Sequence, residues 1–496
     1  MKCSKVNCIL RRIVLKNLHS YIINLASKAL KSLFDICSAS KDLSYNVVAI
    51  TPCVCNKKQR YNSLTKGMGE YSVLIEQRDS LRGEITVPGD KSISHRAILL
   101  GSLAKGTTEI NGFLMGEDCL STIDCFRKMH VRIEILPNNK IKVHGNGLYG
   151  LKPPSTTLNA GRSGTALRLL LGVLASQPFN SVLTRDESSL RKPIGKVVKP
   201  LRDMGAIING RDDGNLCPLT IFPSKLDGKT HNLSLRNTNI KSPLLIAGLY
   251  AQGNTKVVEA VKSRDHTELM LNYFGANITV NGLEVTSHNV ENLYAQNIEV
   301  PGDISTASYF ITAGLIVPNS DIVIKNVGVN PTRTGIIDVY RSMGAKIEIL
   351  NERCVSNEKV ADIRVVSSQL KAVTIEGDLI PRLIDEIPVI AVASTMAKGK
   401  TVIKDLKGFK LKESGKLKML STELLKLGAI VKETEDGMII EGGKTLTGTI
   451  VEGYNHPAIT MALCVAGLVA EGETMIRKTQ VLDIAYPEFI SVLNRL

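Results

Sequence analysis

At 496 residues the chain is too long for a single hydrophobic core, and 43% hydrophobic against 22% charged residues places it with globular α/β proteins rather than disordered or fibrous ones. The absence of Trp and an aromatic share of 4% exclude a base-stacking platform or a membrane-interface belt as its organising feature. A net charge of +15 suggests a polyanionic partner until the charge is located: residues 1–70 hold 12 Lys or Arg against 3 Asp or Glu, so the remaining 426 residues carry only about +6. That balance suits an enzyme of acidic metabolites, and no nucleic-acid partner is expected.

Residues 1–70 form a basic leader with an amphipathic run from Ile9 to Ile36. It fits an organelle-targeting peptide or a start without folded structure, and both readings stay open. Arg11, Arg12, Lys16, Lys28 and Lys31 interrupt the run, so no membrane span is expected there. The expected location is cytoplasmic, or an organelle if the leader is a transit peptide. Five of the ten cysteines lie in the leader; Cys119, Cys125, Cys217, Cys354 and Cys464 are scattered without a CxxC pair, which supports neither a disulfide framework nor a zinc site.

From Gly89 onward one unit is used six times. Each time a short strand enters a polar turn that opens a helix of small apolar residues: GDKSISHRAILLGSLAKG, NAGRSGTALRLLLGVLAS, NTNIKSPLLIAGLYAQG, GDISTASYFITAGLI, GDLIPRLIDEIPVIAVAS and GYNHPAITMALCVAGLVAEG. Helix starts at Ser92, Ser163, Ile240, Ile304, Leu383 and Pro457 fall 64 to 79 residues apart. Most units continue into a second helix closing on Gly-Ala, as in PLRDMGA, LNYFGA, VYRSMGA and LLKLGA. Six units divide as three and three. Each aims a helix N-terminus out of a polar turn, so the assembly gathers positive dipole ends around a shared cleft suited to an anion.

Two short patterns carry no chemistry. Gly145–Gly150 matches GxGxxG, but Pro153 and Pro154 follow and no helix can start there. Gly442-Gly-Lys-Thr445 lacks the earlier glycine of a P-loop at the required spacing and reads as a hairpin turn.

The first unit is different in kind. In VPGDKSISHR, Lys91 and Ser92 stand where a phosphate meets a helix N-terminus, and Arg96 offers a planar fork for a carboxylate. Taken alone, Ser92 reads equally as an N-cap. With VPGDKSISHRAILLGSLAKGTT, FLMGEDCLST, SGTALRLLLG, LTRDESSLRKPI, SRDHTELML, VPGDISTAS, RTGIIDV, LIPRLIDEIPVIAVAS and LKES in order, the chain from about Ile75 to Leu496 resembles the 5-enolpyruvylshikimate-3-phosphate synthases (3-phosphoshikimate 1-carboxyvinyltransferases). The related UDP-N-acetylglucosamine enolpyruvyl transferases share the architecture but differ at SISHR.

The resemblance implies an α/β fold of two similar domains, each of three βαβαββ-type repeats, in the inside-out barrel arrangement of the enolpyruvyl transferases. Domain I would comprise residues 71–89 plus 304–496 and domain II residues 90–303, with crossovers at the repeated VPGD. It implies transfer of the enolpyruvyl group of phosphoenolpyruvate to the 5-hydroxyl of shikimate 3-phosphate, by a monomer without metal or organic cofactor. By motif position, Asp385 is the carboxylate that takes the hydroxyl proton, and Glu413 helps move protons at the enolpyruvyl carbon, with Lys91 the third catalytic group. Glu386 reads as an acid favouring the helix dipole. Shikimate 3-phosphate would be held by Lys91, Ser92, Arg96, Asn237, Thr238, Asn239, Asp385 and Lys412, and phosphoenolpyruvate by Lys91, Gly164, Lys192, Lys416 and Arg162.

Several positions depart from the family pattern. Arg162 stands where the family has Asn, Lys192 and Lys416 where it has Arg, and Asn237-Thr-Asn239 where it has Ser-Ala-Gln. Ala458 stands in place of an arginine and Ile484 in place of a lysine. A lysine keeps the charge and loses the bidentate fork. These losses leave two further readings open: a degenerate homologue that binds shikimate 3-phosphate with little turnover, or a transferase for another phosphorylated acceptor. Arg162, in the adjacent turn, is the expected replacement cation.

Overall fold

A computed structural model describes residues 71–407 and 415–496, without the side chains of 235, 236 and 238. The leader, and with it every reading of residues 1–70, lies outside the described residues, as do Lys412 and Glu413.

The small-residue stretches form six helices: α1 (Lys91–Leu103), α2 (Gly164–Leu174), α3 (Lys241–Gly248), α4 (Ile304–Ile316), α5 (Ile387–Met396) and α6 (Pro457–Gly467). They are interior helices, apolar over most of their length beyond the first turns, with all eight residues of α3, Lys241 included, and nine of the ten in α5 buried. In three of them the polar turn before the helix supplies a side-chain cap. Asp90 accepts from Ile93 N at 2.9 Å, Ser163 from Ala166 N at 3.1 Å and Asp303 from Ser305 N at 2.8 Å. One start differs from the sequence expectation: Ile380–Leu383 is a separate helical turn, and α5 proper begins at Ile387, just before Pro388, which its fixed φ and missing N–H suit to a first turn.

Six small sheets accompany the six helices. The second unit shows the βαβαββ order completely: Leu158–Asn159, α2, Ser181–Thr184, the helix Gly195–Asp203, then Ile207–Gly210 and Leu216–Phe222. Its first two strands pair in parallel around the helix, and the rest are antiparallel. Three units borrow a strand from far along the chain. Ser72–Glu76 lies antiparallel to Glu473–Arg477 and completes the sixth sheet; Arg82–Thr86 lies parallel to Asp321–Lys325 in the fourth; Asn297–Glu299 lies parallel to Glu109–Asn111 in the first.

Buried apolar side chains collect into two cores. One is built from residues of 73–85 and 304–493, the other from residues of 93–300. In the first, α4, α5 and α6 pack on one another, and in the second α2 packs against both α1 and α3. At about 1.5–3 kcal/mol for each large aliphatic side chain buried, these helix clusters dominate the favourable side of folding.

The chain passes between the cores at the two VPGD segments, which lie side by side. Gly89 and Gly302 form an antiparallel bridge; Asp90 N donates to Pro301 O at 2.8 Å and Asp303 N to Pro88 O at 2.9 Å. A Cβ on Gly89 would lie 2.0 Å from Gly112 O, so no other residue fits this crossing. Among the described residues no helix is long and apolar enough to cross a membrane, and Cys119, Cys125, Cys217, Cys354 and Cys464 are all free thiols.

Candidate active site

The crossing launches α1 and α4 from one point, and Lys91, Ser92 and Arg96 on one side and Asp385 on the other lie near it. Lys91 opens α1. Its half-exposed ammonium pairs with Asp118 in the first turn of the helix Glu117–Lys128. Ser92 is half-buried. Arg96 lies behind it, 7% exposed, donating to Ser92 O at 2.9 Å, Thr267 Oγ1 at 2.7 Å and Ser242 Oγ at 2.8 Å. Burial pushes this guanidinium down to about 10, against the attraction of Glu268 and Asp90. Its fork is engaged by protein groups, so it fixes the turn that presents Ser92.

Asp385 reaches the same region from the other core, on the turn before α5. Its side chain is 55% exposed and pairs with Arg264. Burial acts to raise this carboxyl, but the charges of Arg264 and Arg333 outweigh it and hold it at about 2. Asp385 is therefore an ionised acceptor at any working pH. The neighbouring Glu386, the N-cap residue of α5, is 1% exposed and makes no side-chain cap hydrogen bond.

Gly164 opens α2, and the Arg168 guanidinium lies over it: a Cβ built on Gly164 would stand 3.1 Å from the Arg168 terminal nitrogen. Burial, then Arg96, Arg185 and Arg264, bring Arg168 down to about 10. His95, buried between Ser163 Oγ at 3.2 Å and Thr122 Oγ1 at 2.7 Å, is kept neutral by burial and by Lys91, Arg96 and Arg168. Lys416 begins the helix Lys416–Lys426, the end where a helix dipole disfavours a cation. Burial and then the approach of Lys192 lower its pKa, with Asp385 opposing. Lys192 itself donates to Ser189 Oγ at 2.8 Å. Cations that repel one another and sit at a helix N-terminus against its dipole are arranged for an anion rather than for stability.

The remaining positions are less engaged. Arg162 is exposed in the turn before α2. Asn237 is half-buried, with its Oδ1 lacking a hydrogen-bond partner, and Asn239 is exposed. The Thr238 side chain, Lys412 and Glu413 lie outside the described residues. Ala458 is half-buried in the first turn of α6, and Ile484 is 40% exposed with its carbonyl facing the Gly116 turn of the other core. Among the described residues no cluster of His, Cys, Asp or Glu could hold a metal ion.

Three arginines central to this geometry carry no assigned role in the sequence reading: Arg168, Arg264 and Arg333. Each stands inside a family-like stretch, SGTALRLLLG, SRDHTELML or RTGIIDV. For Arg168, a cation interrupting an otherwise apolar helix was the available signal.

The family model EPSP synthase (3-phosphoshikimate 1-carboxyvinyltransferase) matches residues 75–493. The 3-phosphoshikimate 1-carboxyvinyltransferase of Thermoanaerobacter sp. (strain X514) is 52% identical over 422 residues, 85% of this chain and 99% of the relative; that of Brevibacillus brevis is 48% identical over the same shares. The structure of EPSP synthase from Acinetobacter baumannii is similar with a TM-score of 0.80 at 38% identity, covering 86% of this chain and 98% of that one.

Proposed function

The chain belongs to the EPSP synthase (3-phosphoshikimate 1-carboxyvinyltransferase) family, and we propose that it transfers the enolpyruvyl group of phosphoenolpyruvate to the 5-hydroxyl of shikimate 3-phosphate, releasing phosphate. The observation that carries this reading is an ionised Asp385, held by Arg264, facing a set of mutually repelling cations across the crossing.

Both substrates are anions and repel each other, so their charge has to be neutralised before they meet. Lys91, Lys192, Lys416 and Arg168 supply cations for phosphoenolpyruvate, with Arg162 in the adjacent turn and Gly164 leaving room beside it. Lys91 also reaches toward shikimate 3-phosphate, with Ser92, Asn237, Thr238, Asn239 and Lys412. A proton added to the methylene carbon of phosphoenolpyruvate leaves a cationic centre; the 5-oxygen attacks it while Asp385 takes the hydroxyl proton. Loss of phosphate, with a proton returned from the new methyl group, gives the enol ether. Glu413 is the proposed acid at that carbon.

We further propose that residues 71–89 with 304–496, and 90–303, are the two domains, and that the protein acts as a cytoplasmic monomer without a nucleic-acid partner. The two apolar cores support the division. The test is Asp385→Asn, measured for shikimate 3-phosphate binding and for turnover. Retained binding with turnover down about 10²–10⁴-fold, the range of a lost general base, supports the assignment. Turnover within a few fold of the native enzyme overturns it, and turnover only with other phosphorylated acceptors would favour the alternative substrate reading.

A further inference from the structure

Glu386 follows the proposed base directly, yet the two carboxyls face opposite environments. Asp385 is exposed and pairs with Arg264, whereas Glu386 is 1% exposed against the crossing. Its Oε1 accepts from Ser305 Oγ and lies 3.8 Å from Arg333, and its Oε2 is buried without a hydrogen-bond partner. Arg333, with a side chain 4% exposed, also stands 3.7 Å from Asp90 and 3.5 Å from Asp303 and donates to Ser305 Oγ at 2.6 Å. A single guanidinium thus faces two buried carboxyls, Asp90 and Glu386, and a third, Asp303, that is largely buried.

Three ionised carboxylates around one cation leave uncompensated negative charge in a place without water access, which costs far more than protonating one of them. The geometry selects which one. Asp90 accepts from Ile93 N at 2.9 Å, and Asp303 from Ser305 N at 2.8 Å and Lys91 N at 3.5 Å, all bonds that favour an ionised acceptor. Burial and Asp90 push Asp303 above its ordinary value as well, with Arg333 and then its two backbone donors opposing, but each of its oxygens accepts from the backbone, which neither oxygen of Glu386 does. Glu386 has no backbone donor given to it and carries an oxygen with no partner; an unpaired oxygen is tolerable on a neutral carboxyl and prohibitive on a charged one.

We infer that Glu386 is a positioning residue of the reaction: it holds a proton in the working enzyme and, as the neutral member of the Asp385–Glu386 pair, leaves Arg333 to the two crossing aspartates and the negative charge to Asp385. The inference rests on the reading of Asp385 as the base. Burial is the main cause raising Glu386, to about 7, with Asp385 adding to it and Arg333, the Ser305 hydroxyl and Arg264 opposing. The other titratable groups facing it are Tyr309 on α4 and Tyr340 on the helix Gly335–Ser342, both pushed above the usual tyrosine range by burial first. Neither competes for this proton near neutrality. When Glu386 ionises, Arg333 is drawn from Asp90 and Asp303, the N-caps of α1 and α4, so Lys91 and Asp385 lose their common support.

The test is kcat at saturating substrates between pH 6 and 8.5, for the native protein and for Glu386→Gln, which mimics the protonated carboxyl. The native rate is expected to fall about 30-fold between pH 6 and 8.5, most of it above pH 7, where the fall approaches tenfold for each pH unit. Glu386→Gln is expected to stay within about 3-fold of the native maximum and to be flat. An unchanged alkaline limb in Glu386→Gln, or a rate far below the native one already at pH 6, overturns the inference. A second readout needs no activity: infrared difference spectra between pH 5.5 and 8.5 should show a protonated-carboxyl stretch disappear in the native protein and no such band in Glu386→Gln. Its absence from the native protein overturns the proton on Glu386, and its presence in a protein without turnover would mean that the function failed and not this assignment.

Discussion

Gly164→Ala should change stability and substrate affinity in opposite directions. Gly164 is the first residue of α2, and its backbone lies outside the left-handed region, so alanine fits the helix and removes the unfolded-state entropy of glycine, a gain of about 0.5 kcal/mol. The added methyl meets the terminal nitrogen of Arg168 at 3.1 Å. An ordinary contact needs a few tenths of an ångström more, and the far end of a flexible side chain is what has to give. Arg168 therefore shifts by about half an ångström toward the proposed phosphoenolpyruvate site. A charge-assisted hydrogen bond is worth about 1.5–3 kcal/mol, so a partial loss of about 1–2 kcal/mol is expected. That weakens phosphoenolpyruvate about 5–30-fold. Steady-state KM for phosphoenolpyruvate and a chemical denaturation curve measure the two effects. In an Arg168→Lys background, whose side chain lacks the guanidinium, the same substitution should change KM much less. Unchanged affinity in Gly164→Ala, or a clear loss of stability, would refute the reasoning.

Arg264→Ala removes the cation that holds Asp385 at about 2, so an acid limb should appear in the pH profile of kcat where the native enzyme has none from this group; identical acid limbs would count against the pairing. Ala458→Arg with Ile484→Lys restores two cations at a half-buried and an exposed position and should tighten phosphoenolpyruvate tenfold or more, checked by KM. Arg162→Asn should raise that KM if Arg162 substitutes for either cation, and an unchanged value would remove it from the site. Stability should also depend on Glu386. Its folded pKa of about 7 lies above the ordinary glutamate value of 4.5, so its contribution is fully present below pH 4.5 and lost as pH rises through 7. Between pH 5.5 and 8 the native protein should lose about 2 kcal/mol through this group, and Glu386→Gln should not; parallel stability curves for the two proteins would contradict it.

The six-unit repeat was legible because its signals are local: a polar cap, a run of small apolar residues, a closing Gly-Ala. The exchanged strands were not. Nothing within Ser72–Glu76 says that it pairs with Glu473–Arg477, since the pairing is fixed by which sheet lacks a strand when the chain has closed on itself. At the site, Lys91 and Asp385 could be read from the motifs around them. Arg264 could not, because its role comes from meeting a carboxylate 121 residues away. Glu386 reads from sequence as an acid favouring the helix dipole because its partners Ser305 and Arg333 are distant along the chain. The start of α5 was misplaced for a similar reason: Ile380–Leu383 has helical residues, and only the turn that aims Asp385 at the cleft separates it from Ile387.

The most direct test of the account is phosphate release by the full chain supplied with shikimate 3-phosphate and phosphoenolpyruvate together, beside each alone. The account predicts release only with both, stoichiometric with an enolpyruvyl ether of shikimate 3-phosphate detected by mass. No release with both substrates, in a protein that is folded and binds shikimate 3-phosphate, would contradict it and identify a scaffold that has lost its chemistry.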